Sequence, residues 1–122
     1  MPPLSLPKKY LLSKNWEYRH IYRAGKRLHG DNLTLIYAPN GKSNNRIGIS
    51  VSGVKGAVKR NRIKRLIKEF YRLNRNLSFL PGQAVDSSSM DVIFAVRKGF
   101  YPENPAVVRS TIDSLVNKVA TV

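Results

Sequence analysis

The sequence predicts an α+β domain, a two-layer αββαβα sandwich in which helices pack on a small sheet. Three observations predict it. Residues 58–76 and 105–119 carry apolar side chains at i, i+3, i+4 spacing, the mark of a helix with one buried face. Residues 33–37, 46–52 and 91–97 are short runs of β-branched and aromatic residues bounded by turn chemistry. A shorter helical pattern lies between Ser13 and Gly25. The 122 residues suit a single domain with no internal repeat.

Residues 1–12 read as an irregular arm, broken by Pro2, Pro3 and Pro7. Ser13 stands where a side-chain oxygen can cap the first free N–H groups of a helix, and Gly25 where a left-handed residue would stop it. Tyr18, Ile21 and Tyr22 share one face of that helix, and Trp16 lies off it. The first strand, Leu33 to Tyr37, ends in the turn residues Ala38-Pro39-Asn40-Gly41. In the second, Ile47, Ile49 and Val51 point to a core, while Gly48, Ser50 and Ser52 leave a low, accessible face. Their closeness in sequence predicts an antiparallel hairpin from these two strands.

A helix about 28 Å long follows, at 1.5 Å per residue, from Val58 to Asn76. Ile63, Leu66, Ile67, Phe70, Leu73 and Leu77 fall on its buried side. Pro81-Gly82 closes it, Gln83 to Met90 reads as a serine-rich loop, and Asp91 to Arg97 is the third strand. After the turn Gly99-Phe100-Tyr101-Pro102, the last helix runs from Pro105 to Val119. Val108, Ile112, Leu115, Val116 and Val119 form its buried face.

Composition narrows the function classes. Twenty-two basic and seven acidic side chains leave a formal charge of +15 and a pI near 10.6. So small and positive a body repels itself, and an extended polyanion, most often a nucleic acid, is the economical partner. A membrane surface would instead favour helices with leucine and aromatic side chains opposite the cations. No apolar run approaches the roughly 20 residues that cross a bilayer. Lys8 and Lys9 follow a short proline-broken stretch, where a signal peptide carries its charges ahead of a longer apolar one. No membrane partner and a cytoplasmic location are expected. The absence of cysteine excludes disulfides and thiolate metal sites, and it fits a reducing compartment.

The charge is concentrated between Lys55 and Lys68. Arg60, Asn61, Lys64, Arg65, Lys68, Arg72 and Arg75 lie opposite the apolar stripe, with Arg62 flanking them. A solvated helix face usually mixes signs, because like charges at i, i+4 weaken it. Here Arg60, Lys64, Lys68 and Arg72 stack at that spacing. Lys59, Arg60 and Arg62 also crowd a helix start, where backbone dipoles already disfavour cations. The combination weakens an isolated helix and favours phosphate.

The stretch Gly56-Ala57-Val58-Lys59-Arg60-Asn61-Arg62-Ile63-Lys64-Arg65-Leu66-Ile67-Lys68-Glu69 closely resembles the Arg-Asn-Arg signature helix of the bacterial ribonuclease P protein subunit. The resemblance runs in order from Leu11 to Val119. Trp16 to Gly25 is similar to that family's first helix, Ile47 to Ser52 to its second strand, and Asp91 to Lys98 to its third. The 83–90 loop is longer and richer in serine than the family pattern, and the N-terminal arm is idiosyncratic.

The resemblance implies an α/β sandwich with a left-handed strand–helix–strand crossover, against the usual rule. It implies two partners: a catalytic RNA subunit that cleaves, and precursor tRNA, whose 5′ leader is removed. Lys55, Lys59, Arg60, Asn61, Arg62, Lys64, Arg65 and Lys68 would bind RNA. Tyr18, Tyr22, Tyr37, Ser50, Ser52 and Arg97 would line a cleft for the single-stranded leader. On the residues alone, Tyr18 and Tyr22 read as core rather than cleft, as aromatics at helical spacing usually do. The protein by itself would carry no catalytic residue and no cofactor or metal, the Mg2+ being used by the RNA-containing holoenzyme, and would be a monomer when free. The seven acids are scattered, and His20 and His29 lack evident partners, which disfavours a protein nuclease with clustered carboxylates. A ribosome-associated RNA-binding protein of similar fold is the alternative.

Overall fold

The structure, a computed structural model, describes residues 10–42, 44–73 and 89–120, with side chains to residue 116. Residues 1–9 of the arm, the long helix beyond Leu73 with Arg75 and Leu77, Pro81-Gly82 and most of the serine-rich loop lie outside the described residues, as does the side chain of Val119. The described elements are α1 (Asn15–Ala24), β1 (Lys26–Leu28), β2 (Leu33–Pro39), β3 (Arg46–Val51), α2 (Ala57–Leu73), β4 (Met90–Val96) and α3 (Pro105–Ala120). None of these helices is long and apolar enough to cross a membrane.

The sheet order is β1-β2-β4-β3, so the expected hairpin does not form. Instead β4 lies between its two strands, antiparallel to β2 and parallel to β3, with Phe94 opposite both Leu35 and Ile49. The reason is legible in β4 itself: Met90, Val92, Phe94 and Val96 are buried, and so is Ile93, which points the other way. A strand apolar on both faces belongs at the centre of a sheet. β1 is an addition to the expected element string. Three residues beginning Lys26-Arg27 carry too little pattern to read as a strand, yet they pair antiparallel with β2. On the outer edge of β3, Leu11 makes a parallel bridge to Ile47 and Leu12 N donates to Ile47 O, so the end of the arm is ordered.

The class is α+β, as expected, but the layering differs from two layers. Leu33, Leu35, Val92 and Phe94 pack with Ile63, Ile67, Phe70, Val108 and Ile112 of α2 and α3. The alternate residues Ile36 and Ile93 pack with Ile21 and Leu12 in a second, smaller cluster. Because side chains alternate across a strand, α1 covers the opposite face from α2 and α3.

Both expected ends of α1 are corrected. Its N-cap is Lys14, and the free N–H groups of Ser13 and Lys14 donate to Glu17 Oε1 at 3.3 and 3.2 Å, so Glu17 performs the capping expected of the Ser13 side chain. Gly25 has φ −79°, an ordinary conformation, so it is not a left-handed stop. It is needed for space: a Cβ there would lie 2.6 Å from Ile21 O and 3.0 Å from Tyr37 O. Backbone oxygens cannot turn aside. Gly25→Ala is therefore expected to cost about 1–3 kcal/mol, the range for overpacking, measured by urea denaturation. On α2, Ile63, Leu66, Ile67, Phe70 and Tyr71 are buried, whereas Leu73, expected on that face, is exposed.

Candidate nucleic-acid interface

α2 turns its apolar stripe to the sheet and its charges to water. Lys55, Lys59, Arg60, Asn61, Arg62 and Arg65 are exposed, and Lys64 and Lys68 are partly so. Among the described residues the ion pairs join Arg46 to Glu17, Arg46 to Asp91 and Arg109 to Asp113. The cations of α2 take part in none of them. The first turn of α2 holds no acid, and Gly56 enters it with φ +94°. Backbone N–H dipoles and unneutralised side chains thus add their fields at one end of the helix. Such a ridge can hold phosphates, each guanidinium fork meeting two oxygens.

The face under α1 is narrower than alternation implies. The expected low surface at Gly48 is covered by the Tyr18 ring: a Cβ on Gly48 would stand 2.7 Å from Tyr18 Cε1 and Oη. The glycine is a seat for the ring. Tyr18 and Tyr22 are half-buried against Ile36 and Ile93, with Ala95 beside them. Burial pushes the Tyr18 hydroxyl above its usual pKa, opposed by a backbone hydrogen bond from Ile49. Arg27 lies 5.7 Å from the centre of the Tyr22 ring and donates to Tyr22 O, which tethers that end of α1 to β1. Ser50 pairs with Ala95 in the sheet and remains partly exposed.

Other expected members of this surface are differently placed. Ser52 is exposed just past β3, with its N–H donated to Val96 O. Arg97 is exposed but donates to Gly30 O and Asp31 O, closing the loop before β2. Tyr37 does not join Tyr18 and Tyr22. It shares its face with Leu33 and Leu35 in the α2–α3 core, only 9 % exposed, and burial raises its pKa. Strand alternation carries the signal that separates it, since Ile36 is the residue of β2 that faces α1.

The two surfaces meet at the outer edge of β3, beside Leu11 and Leu12. Lys64 and Lys68 of α2 and Tyr18 of α1 line one cavity of about 180 Å³, with Leu12, Ile47 and Gly48. A chain bound there would touch cations on one side and an aromatic ring on the other.

Sequence reasoning missed Arg46. Its Nη1 donates to Glu17 Oε2 at 2.7 Å, and its Nε and Nη2 donate to the two oxygens of Asp91 at 2.9 and 2.7 Å. Asn40 Nδ2 also donates to Asp91 Oδ1 at 2.8 Å. Two of the acids that look scattered along the chain therefore share one guanidinium, an arrangement that neutralises them. The available signal is the register that sets Arg46 beside Asp91. Burial works against the Glu17 carboxylate, yet Arg46 and the two backbone N–H groups outweigh it and hold its pKa below the usual range. The Arg46 guanidinium is pushed the other way, upward, chiefly by Asp91. The network pins the start of α1, and hence Tyr18, to the sheet. Among the described residues no three His, Asp or Glu gather where they could hold a metal, and His20 and His29 are exposed.

The ribonuclease P family model matches residues 6–120. The chain belongs to the ribonuclease P protein family. It is 48 % identical over 111 residues to the ribonuclease P protein component of Desulfotalea psychrophila, covering 90 % of this chain and 86 % of that one. It is 36 % identical to the ribonuclease P protein component of Clostridium kluyveri, over 89 % of this chain and 93 % of that one. Among solved structures it is similar to the RNase P protein of Staphylococcus aureus, with TM-score 0.70, 26 % identity and coverage of 93 % and 96 %. The RNase P protein of Thermotoga maritima gives TM-score 0.66 and 25 % identity, over 88 % of this chain and 94 % of that one. The ribonuclease P signature helix resembled in the sequence is α2, whose first turn holds no acid.

Proposed function

We propose that this chain is the protein subunit of a ribonuclease P, gripping the catalytic RNA with α2 and the single-stranded 5′ leader of precursor tRNA on the α1 side of the sheet. The observation that carries this reading is the meeting of α2 cations, in no ion pair among the described residues, with a half-buried tyrosine at the edge of β3. Arg60, Arg62 and Arg65 hold phosphates in pairs of hydrogen bonds, and Asn61 donates and accepts, which suits a base edge or a ribose hydroxyl. Tyr18 and Tyr22 offer ring edges and faces to unstacked bases with little sequence preference. Ser50, partly exposed, keeps the strand beside them low. Mg2+ would be held by the RNA, not by this chain, and would supply the metal chemistry of the cleavage there. The protein contributes position and charge: it binds leader and RNA together and so fixes the scissile phosphate.

The test is cleavage of precursor tRNA at low magnesium, with the protein alone, the catalytic RNA alone, and both. Acceleration only in the mixture is expected, and cleavage by the protein alone would overturn the reading. Tyr22→Ala separates the two surfaces. It should weaken precursor tRNA binding by the assembled enzyme about 5- to 150-fold, the worth of a stacked base at roughly 1–3 kcal/mol, and leave mature tRNA unchanged. An equal loss for both would make Tyr22 a structural residue.

A further inference from the structure

The reading above uses only the α2 wall of a larger groove. Lys59, Arg62 and Ile63 of α2 face Tyr101, Glu103 and Asn104 of the connection between β4 and α3 across a cavity of about 800 Å³. Small-molecule sites fall at about 300–1,000 Å³. Tyr101 is 55 % exposed although Phe100 and Pro102 on either side of it are buried.

Its segment is anchored at both ends. Asn32 Nδ2 donates to Gly99 O at 3.1 Å, and Phe100 N donates to Arg97 O at 3.3 Å. Asn104 Oδ1 accepts from Val107 N at 3.2 Å and caps α3. A large ring is thus displayed to water on a fixed turn, where it contributes little to folding.

The charges around it are equally unspent. Glu103 faces Lys59 and Arg62 across the groove, yet no ion pair among the described residues joins them. The lining therefore offers an aromatic face, one carboxylate acceptor and two cations. An inorganic phosphate would use only the cations and meet Glu103 as a like charge. An apolar segment would bury three charges without partners. A nucleotide uses everything: its base stacks on the ring, base N–H groups donate to the carboxylate, and its phosphates take Lys59 and Arg62.

We propose that this groove takes an unpaired nucleotide of the RNA held by α2, at a site separate from the leader surface. The proposal rests on the function proposed above, and its experiment fails separately. In full-length protein carrying Trp16→Phe and Tyr101→Trp, the tryptophan reports on the groove alone, because Trp16 is the chain's single tryptophan. Adding the catalytic RNA should quench its emission roughly twofold or more through base stacking. Tyr101→Ala should weaken binding of that RNA about 5- to 150-fold at unchanged melting temperature, and Tyr101→Phe should restore it. Arg62→Ala should flatten the log–log salt slope by about 0.7–0.9, as one lost phosphate contact does, whereas Tyr101→Ala should leave it alone. RNA bound at wild-type affinity with unquenched emission and a silent Tyr101→Ala would sink the groove and leave the ribonuclease P reading standing. Failure of the wild-type protein to bind the RNA would overturn both.

Discussion

Arg46→Met lowers the unfolding free energy by roughly 3–5 kcal/mol, the cost of removing one partner from a buried ionic cluster. The size follows from what remains. Glu17 and Asp91 are 8 % and 6 % exposed, and without the guanidinium they face each other as carboxylates in poor contact with water. Urea denaturation at neutral pH measures the loss. Adding Glu17→Gln and Asp91→Asn to Arg46→Met should recover much of it, because the stranded charges go too. The pH dependence has a definite sign. The Glu17 pKa is depressed by folding, so its contribution is complete above its unfolded value of 4.5 and is lost as pH falls through the lower folded value. In Arg46→Met only the backbone N–H groups of Ser13 and Lys14 still oppose burial, and protonation of Glu17 then relieves the variant. The gap between wild type and variant should narrow on acidification. A gap that is constant down to pH 3, or absent throughout, would show that the cluster carries no stability.

The triple variant Arg60→Ala, Arg62→Ala, Arg65→Ala loses affinity for the catalytic RNA by roughly a thousandfold or more, since hydrogen bonds to charged groups contribute about 1.5–3 kcal/mol each. The log–log salt slope should flatten by about 2–3, one phosphate per arginine. Folding gives the control. These side chains are exposed, are in no ion pair among the described residues, and begin near a helix start that repels cations. The variant should therefore melt at the same temperature or slightly above it. Binding lost together with stability would make the ridge structural, and binding kept at a steep salt slope would place the RNA elsewhere.

What could be read from residue order divides along physical lines. Periodicity is local, so the helical runs around Ile63 and Val108, the strand around Ile93 and the bare cationic side of α2 are visible without coordinates. Pairing is not local. The partner of β2 is chosen by which strand can be buried on both faces, and only the full set of strands reveals that β4 is the one. The family resemblance groups Tyr37 with Tyr18 and Tyr22, whereas strand parity assigns it to the other face. Arg46 looked like an ordinary strand start because its acids lie on α1 and β4, brought to it by the fold. Gly25 illustrates a third limit. Its need for a missing side chain arises from a crossing of Ile21 and Tyr37 carbonyls that no short-range rule contains.

The placing of β4 has a consequence in time. It is the strand shared by β2 and β3, and in the chain it comes after both of them and after α2. A nascent polypeptide that has left the ribosome only as far as residue 89 holds two strands that lack their common neighbour, and a cationic helix with half a core behind it. Local pairing can join only β1 to β2, so the rest of the sheet waits for distant segments, and such non-local pairing is intrinsically slow. During translation this chain therefore exposes its cationic helix, amid ribosomal RNA, before it owns a finished fold.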